Sequence, residues 1–201
     1  MKTILHIESS SNLHTSVSRE IGAAALESLL RAHPGAKVVN RDLAKNPVPH
    51  LAPAFVEVMY TKPDAPELAL SRELVDELKA SDVIVLEAPM YNFNIPSVLK
   101  AWIDHVARAG LTFQYGANGI EGLLKGKKAI LVLGRGGMYA QGPMKAMDYQ
   151  ETYLRAVLGF LGITDVETVL IEGVGMGPDK RAEALTKARA RIATLTALKA
   201  A

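Results

Sequence analysis

The sequence contains no cysteine. Disulfide bonds, thiol catalysis and zinc or iron–sulfur sites with cysteine ligands are therefore excluded. An excess of one charge is also lacking, because 23 Lys and Arg residues face 21 Asp and Glu residues, for a net charge of +2. No basic block occurs along the chain. This balance gives no indication of a nucleic-acid partner, and we expect none.

Long apolar runs are missing as well. No apolar run approaches the ~18 residues that a membrane-spanning helix requires. At the N-terminus a single Lys precedes the short apolar run at residues 3–7, which is too short for the core of a signal peptide. Of the 201 residues, 49% are hydrophobic, which suits a compact core. We therefore expect one domain over residues 1–201, located in the cytoplasm and without a membrane partner.

Short apolar runs alternate along the chain with segments of helical periodicity. Strands are predicted at residues 3–7, 37–42, 82–86, 128–133 and 166–171. Helices are predicted over residues 21–30, 55–60, 68–78, 96–109, 148–161 and 178–199. Residues 111–125, which are rich in glycine, are expected to leave the sheet as an excursion. The alternation predicts an α/β fold with a parallel sheet that is covered by helices on both faces.

The loop after the third predicted strand combines aromatic and amide side chains. Tyr91, Asn92, Phe93 and Asn94 follow Met90 directly, and Pro96 is suited to the first position of the next helix. A planar heteroaromatic ring needs flat apolar surface together with donors and acceptors at its edge. This loop therefore fits such a ligand. On its own it fits equally well a segment that only closes the end of the sheet.

The loop after the first predicted strand is rich in hydroxyl groups and leads into a helix. Helix N-termini carry unpaired N–H groups that bind phosphate, and the hydroxyls of Ser16 and Ser18 would add donors. Because no G-x-G-x-x-G motif is present, a dinucleotide pyrophosphate is not indicated. The pattern suits a terminal monophosphate, as on a mononucleotide. The alternative is an ordinary serine cap without a ligand.

A third candidate loop follows the fourth predicted strand. It contains Gly134, Gly136 and Gly137 around Arg135, and such glycines allow backbone N–H groups to approach a ligand closely. A simple glycine turn is the alternative. In the flavodoxin-like strand order 2-1-3-4-5, the first, third and fourth strands are adjacent. The three loops would then meet at one crevice, which favours a binding site over three unrelated turns.

Several segments resemble the FMN-dependent NADH-azoreductase family of flavodoxin-like quinone and azo reductases. The resemblance extends over essentially the whole chain, and its most specific segments are residues 88–94, 106–110, 126–129 and 158–166. It implies an open five-stranded parallel sheet of order 2-1-3-4-5 and a homodimer with active sites at the subunit interface. It also implies ping-pong, two-electron hydride transfer from NADH through bound FMN to quinones and azo compounds.

The resemblance also implies roles for individual residues. The phosphate of FMN would be held by Ser10, Ser16, Val17 and Ser18. The ribityl chain and the ring would be lined by Met90, Tyr91, Asn92 and Phe93, and the pyrimidine edge would face Gly134, Arg135, Gly136 and Gly137. Family members often carry a hydroxyl residue at the position of Gly134. Tyr115 and Phe160 are candidates for an aromatic wall over the substrate.

No catalytic acid or base and no metal site are predicted from the sequence. The histidines show no ligand spacing and are interpreted as structural. A flavodoxin-type electron carrier remains a non-enzymatic alternative, although such carriers are shorter and usually strongly acidic. A quinone or nitro reductase that prefers NADPH is a second alternative, since the sequence does not specify the nicotinamide cofactor. A phospho-receiver domain is excluded because Ala88-Pro89 and Ser9-Ser10 stand where acidic residues are required.

Overall fold

A parallel sheet forms the centre of the molecule. Residues 2–117 and 119–197, which the computed structural model describes, form a sheet of five parallel strands and a separate antiparallel hairpin. In chain order the strands are β1 (Thr3–Glu8), β2 (Lys37–Asp42), β3 (Val83–Pro89), β4 (Phe113–Gly116), β5 (Gly119–Gly122), β6 (Lys128–Gly134) and β7 (Asp165–Ile171). The hairpin consists of β4 and β5. It lies within residues 111–125, which were expected to leave the sheet.

The strands of the sheet follow the order β2-β1-β3-β6-β7. The order 2-1-3-4-5 expected from the sequence assumed no strands within residues 111–125. Because the hairpin there supplies β4 and β5, the strand beside β3 is β6 and the strand at the far edge is β7. The carboxyl ends of β1, β3 and β6 are adjacent in this sheet.

Helices cover both faces of the sheet. They are α1 (Val17–Ala32), α2 (Pro53–Val58), α3 (Ala69–Ala80), α4 (Ser97–Val106), α5 (Tyr149–Phe160) and α6 (Pro178–Ala197). Short 3₁₀ helices span Pro66–Leu68 and Pro143–Met147. Among the described helices, none has both the length and the apolar character needed to cross a membrane.

The core is divided between the two faces because successive strand residues point in opposite directions. Ile4 packs in the cluster that contains Ile21 of α1 and Ala188 of α6. Its neighbour Leu5 packs in the other cluster, with Trp102 of α4. The fully buried apolar side chains of β3 and β6 also contribute to both clusters. This two-sided burial explains why the central strands appear in the sequence as continuous apolar runs.

Several element boundaries differ from those predicted. Helix α1 begins at Val17 rather than residue 21, because Ser16 caps it with a side-chain oxygen that accepts from the N–H of Arg19 at 3.4 Å. The strand predicted at 82–86 continues to Pro89. Helix α4 ends at Val106, where the Thr112 hydroxyl donates to the Val106 carbonyl at 2.7 Å. The last two residues predicted for the closing helix, 198 and 199, lie outside the described residues.

Candidate active site

A crevice of about 320 Å³ opens at the carboxyl ends of β1, β3 and β6. Open α/β sheets bind ligands at this edge, where the connections diverge to opposite faces. The three loops singled out in the sequence meet here, together with the loop after β7 and the start of α6. The lining residues are Ser10, Asn12, Thr15, Ser16, Val17, Pro89, Met90, Tyr91, Gly134, Arg135, Gly136, Val174 and Arg181.

Most of the residues predicted to hold a cofactor line this crevice. The structure brings together Ser10, Ser16, Val17, Met90, Tyr91, Gly134, Arg135 and Gly136. The remaining predicted residues, Ser18, Asn92, Phe93 and Gly137, are adjacent in sequence but are not among the lining residues. Ser18 is fully buried, and its hydroxyl lies 3.0 Å from that of Ser16. Asn92 lines a neighbouring cavity of about 480 Å³, on which Tyr91 also borders.

The loop after β1 is held in shape by its own polar groups. The side-chain oxygen of Asn12 accepts from the N–H of His14 at 3.1 Å and of Thr15 at 3.0 Å. The Asn12 amide donates to the Thr15 hydroxyl at 2.7 Å, and Ser10 Oγ accepts from the N–H of Asn12 at 3.3 Å. The loop therefore delivers a set of neutral donors to the crevice beside the N-terminus of α1.

Arg19 anchors this loop from within the protein. Its guanidinium donates to the Ser10 carbonyl through Nη2 at 2.8 Å and through Nε at 3.2 Å. It also donates to Glu8 at 2.6 Å and to both carboxylate oxygens of Asp42, at 2.8 and 3.0 Å. Burial would raise the pKa of Asp42, but the hydrogen bond from Arg19 and the Lys45 and Ala44 N–H groups lower this pKa to about 2. Arg19 thus fixes the backbone of Ser10 while it pairs with two carboxylates, of which Asp42 has a lowered pKa.

The loop after β3 contains a tight turn in an unusual conformation. Tyr91 and Asn94 exchange two backbone hydrogen bonds, of 2.9 and 3.1 Å. The two residues between them, Asn92 and Phe93, have positive φ angles of 48° and 72°. A two-residue turn of this kind requires positive φ at both positions, which asparagine tolerates and phenylalanine rarely adopts. Strained backbone of this type concentrates at functional sites.

The aromatic residues of this turn connect it to neighbouring loops. The Tyr91 hydroxyl accepts from the N–H of Ser11 at 3.2 Å and so ties the turn to the loop after β1. The Phe93 ring lies 6.1 Å from the Tyr139 ring in an edge-on arrangement and is 36% exposed. The Phe93 carbonyl accepts from the N–H of Tyr149 at 3.2 Å. The rings of Tyr91 and Phe93 remain partly open to solvent.

The glycine loop after β6 presents backbone to the crevice. A Cβ added at Gly136 would meet no atom of the described residues within 4 Å, its chain neighbours aside, whereas one added at Gly134 would lie 3.0 Å from Val17 Cγ2. The carbonyls of Gly136 and Gly137 accept from the N–H groups of Gly175 and Gly173, at 2.9 and 3.0 Å. Val17 thus fills the space that a larger residue at position 134 would need.

The side chain of Arg135 is buried within the protein. Its guanidinium is completely buried and donates to Gln150 at 3.0 Å, Asp148 at 2.9 Å and Glu172 at 3.0 Å. Its N–H donates to the Ile171 carbonyl at 2.8 Å. The guanidinium and the N–H of Arg135 are therefore both occupied within the protein, and the side chain joins β6 to α5 and to the loop after β7.

The two candidates for a substrate wall lie away from the crevice. Tyr115 is on the hairpin and is 72% exposed. The Phe160 ring lies 4.4 Å from that of Phe113, which in turn lies 5.7 Å from the Tyr115 ring. Neither Tyr115 nor Phe160 lines the crevice of its own chain.

A buried ionisable pair lies beneath the site. His6 of β1 and Glu87 of β3 are almost fully buried, and His6 Nε2 is hydrogen-bonded to Glu87 Oε1. Burial raises the pKa of Glu87 to about 7. Burial lowers the pKa of His6, but the hydrogen bond and charge of Glu87 outweigh it and raise this pKa overall. The Ser9 hydroxyl donates to the Glu87 carbonyl at 2.6 Å, so the pair is connected directly to the loop after β1.

Comparison with known proteins identifies the group to which this site belongs. A family described as having the flavodoxin-like fold matches residues 2–195. The FMN-dependent NADH:quinone oxidoreductase of Hyphomonas neptunium is 48% identical over 197 residues, which cover 96% of this chain and 95% of that protein. The chain belongs to this flavodoxin-like family. The resemblance stated from the sequence is thereby confirmed.

Similar solved structures support the same assignment. An azoreductase from Bacillus anthracis has a TM-score of 0.90 and 32% identity, covering 98% of this chain and 99% of that one. An FMN-dependent NADH-azoreductase from the same species, solved in complex with FMN, has a TM-score of 0.89 and 25% identity over 100% of both chains. The flavodoxin-like fold predicted from the sequence is therefore confirmed.

Sequence reasoning missed some residues of this flavodoxin-like site. Asn12 and Thr15 lie in the loop that was singled out, but their role in shaping it depends on backbone geometry. Val174 and Arg181 line the crevice from beyond β7, and no motif drew attention to them. His6 was interpreted as structural, and Glu87 was not considered. The two residues form a pair across adjacent strands.

Proposed function

We propose that this chain is an FMN-dependent NADH:quinone oxidoreductase that also reduces azo compounds. The convergence of the hydroxyl-rich, aromatic and glycine loops on one crevice carries the proposal. The names of the relatives, which cover nearly the whole chain, point to the same activity. FMN, when bound, supplies two-electron hydride transfer between NADH and the acceptor.

The residues present fit a phosphate-bearing planar ligand. Ser10 and Ser16 offer hydroxyl groups beside the N-terminus of the long helix α1, where N–H groups attract a phosphate. Val17 and the buried Ser18 complete the first turn of that helix. Gly136 leaves open space where any other residue would place a side chain. A mononucleotide with a flat ring satisfies all of these features.

We assign the remaining predicted residues to the ring and its side chain. Met90 and Tyr91 contribute the wall after β3, and the strained turn at Asn92 and Phe93 fixes its shape. Backbone groups of residues 134–137 face the polar edge of the ring, with the Arg135 side chain holding that loop from behind. These residues bind and orient the cofactor, so geometry rather than proton transfer by the protein carries the rate.

The proposal includes a homodimer in the cytoplasm, each chain forming one FMN-binding domain over residues 1–201. Tyr115 and Phe160 do not line the crevice of their own chain. We assign them to the aromatic wall over the substrate in the crevice of a second copy. Exposed aromatic surface on the hairpin suits such an interface, and two-fold dimers are the commonest soluble assemblies. One flat slot shared by NADH and acceptor implies ping-pong kinetics, with quinones and azo compounds as acceptors.

A spectrum and a titration test the proposal. Purified protein should show the absorption bands of oxidised flavin, which NADH should bleach and a quinone should restore. Bleaching by NADPH but not by NADH would favour the alternative of an NADPH-preferring quinone or nitro reductase. Slow or absent oxidation of both nicotinamides by flavin-loaded protein would instead favour a flavodoxin-type electron carrier. Protein that binds no flavin after incubation with FMN would overturn the proposal.

A further inference from the structure

Arg181 forms part of the crevice wall beside the serine loop. It lies near the start of α6, where its N–H donates to the Gly177 carbonyl at 3.0 Å. Its side chain is 37% exposed and lines the same crevice as Ser10 and Ser16. A cation in the first turns of a helix gains nothing from the helix macrodipole. The helix macrodipole therefore does not favour a cation at position 181, whereas an anionic ligand in the crevice would.

The charge distribution of the crevice makes Arg181 distinctive. Among the described lining residues, Arg135 and Arg181 carry the positive side chains, and none is acidic. The Arg135 guanidinium is fully buried against Asp148 and Glu172 and is not available to a ligand. The other lining residues offer neutral hydroxyl, amide, backbone and apolar groups. The positive charge available to a ligand in this crevice thus comes from Arg181.

The present contact of Arg181 leaves it free to turn toward a ligand. Its guanidinium lies 3.7 Å from Glu20 Oε2, which is beyond hydrogen-bond distance. Glu20 Oε1 accepts a hydrogen bond from Arg189 Nη2 at 2.9 Å. Glu20 therefore keeps a cationic partner when Arg181 moves away, and this movement leaves no uncompensated carboxylate behind.

We propose that Arg181 binds the terminal phosphate of the cofactor as a charged partner to the neutral donors of the serine loop. The inference depends on the proposed function, since it requires FMN in this crevice. Guanidinium groups suit phosphate because they donate parallel hydrogen bonds and remain charged. The first turn of α1 contributes unpaired N–H groups, and Arg181 contributes the full positive charge that they lack.

Binding titrations on the apoprotein test this role without measuring activity. FMN and riboflavin differ by the phosphate, so flavin fluorescence quenching should be measured for both ligands. Arg181→Ala should weaken FMN binding by about 10- to 100-fold, the range expected for one charge-assisted hydrogen bond, and leave riboflavin binding within about twofold. Arg181→Lys should recover part of the loss. The affinity of wild-type protein for FMN should also fall more steeply with salt than that of Arg181→Ala.

Arg191→Ala provides the matched control, because it removes another arginine of α6, one that pairs with Glu167 and does not line the crevice. It should bind FMN as wild type does. Unchanged FMN affinity in Arg181→Ala would overturn the role of Arg181 and leave the proposed function intact, and so would equal losses for FMN and riboflavin. Wild-type apoprotein that binds neither flavin would overturn the proposed function itself. If Arg181→Ala does not fold, Arg181→Gln replaces it, because glutamine keeps a long polar side chain without the charge. The affinities of this variant for FMN and riboflavin are then compared in the same way.

Discussion

Gly22 of α1 lies directly against the carboxylate of Glu87 on β3. A Cβ at position 22 would overlap the Glu87 carboxylate, so the absence of a side chain there creates the space in which Glu87 pairs with His6. Glycine in the middle of a helix is unfavourable by about 0.5–1 kcal/mol relative to alanine. Glycine is nevertheless required at position 22, because a buried ionisable pair occupies the volume that a side chain would need.

Replacement of Gly22 by alanine should therefore destabilise the protein, although alanine is the better helix former. Overpacking of this kind costs about 1–3 kcal/mol. Gly159→Ala is the matched control, because Gly159 is also helical and a Cβ there would meet no atom within 4 Å from the described residues outside its own helical turn. It should be neutral or stabilising by up to about 1 kcal/mol. Urea unfolding of both variants measures the difference in the free energy of unfolding. Equal effects at the two sites would show that the Glu87 side chain moves aside without loss of stability.

The pair also predicts how stability depends on pH. The ordinary pKa of Glu87 is near 4.5, and burial raises it to about 7 in the folded protein. Between these values the unfolded chain loses a proton that the folded chain keeps, so the free energy of unfolding falls as pH rises. The raised pKa of His6 acts in the same direction, and the neighbouring Glu8 favours protonation of both groups.

Glu87→Gln removes the titrating carboxyl and keeps the shape. Relative to this variant, wild type should lose stability from about pH 4.5 to beyond pH 7, by at most about 3 kcal/mol for a shift of this size. Urea unfolding of both proteins at pH 5 and pH 8 measures this change. A difference that stays constant, or that grows in favour of wild type with rising pH, would contradict the assignment.

The sequence predicted the parts of this fold that depend on local pattern. Strands β1, β2 and β6 follow apolar runs, and the helices follow the spacing of their apolar faces. The end of β3 was missed because Glu87 and Pro89 interrupt the apolar pattern, although Glu87 is buried through its pairing with His6. The hairpin was missed because the residues of β4 and β5 are mostly exposed and include glycines, which gives them no alternation.

The parts of the site that come directly after a strand in the sequence were predictable. The serine, aromatic and glycine loops each follow directly on a strand, so topology brings them together. The sequence around Arg19 and Arg181 does not indicate their roles, because these roles depend on residues that come near them only in the folded chain. The side chain of Arg135 lies in a predicted loop, yet its direction is set by Asp148 and Glu172, which lie 13 and 37 residues further along the chain.

Arg19 should be required for the shape of the serine loop. Arg19→Ala removes two hydrogen bonds to the Ser10 carbonyl and leaves Glu8 and Asp42 without their guanidinium partner. We expect a loss of about 2–4 kcal/mol in stability and an FMN affinity at least about tenfold lower. Asp42→Asn is the control, since it weakens the network but leaves the contacts of Arg19 to Ser10. It should lower stability and largely preserve FMN affinity, as measured by thermal unfolding and fluorescence titration. Equal losses of FMN affinity in both variants would assign the effect to general destabilisation.

Gly136 should be required by the ligand rather than by the fold. Among the described residues, apart from its chain neighbours, none has an atom within 4 Å of a Cβ at this position, so Gly136→Ala should change stability by less than about 0.5 kcal/mol. The new methyl group would occupy the crevice, and FMN binding should weaken, more strongly still for Gly136→Leu. Gly134→Ala is the comparison variant. Its Cβ would press against Val17, so this variant should lower the stability of the protein itself. Unchanged FMN affinity in Gly136→Leu would place the ring elsewhere.

Proton transfer by a side chain of the protein is not expected at this site. Among the described residues that line the crevice there is no Asp, Glu or His, and the buried His6–Glu87 pair is not part of the lining. Hydride transfer places the reacting bond on the cofactor, so the protein acts through position and electrostatics. Alanine at Tyr91, Asn92 or Phe93 should therefore act mainly by loosening or tilting the flavin.

The measurement that separates binding from chemistry is the rate of quinone reduction divided by the flavin content of each variant. This ratio should fall by no more than about 10²- to 10³-fold, the effect of losing one positioned donor. Tyr91→Phe is the sharpest case, since it removes only the hydroxyl that accepts from the N–H of Ser11 and keeps the ring. It should retain most of the activity per bound flavin. A single variant with full FMN content and a rate lower by about 10⁴-fold would reveal an obligatory acid or base, which the residues of this crevice do not provide.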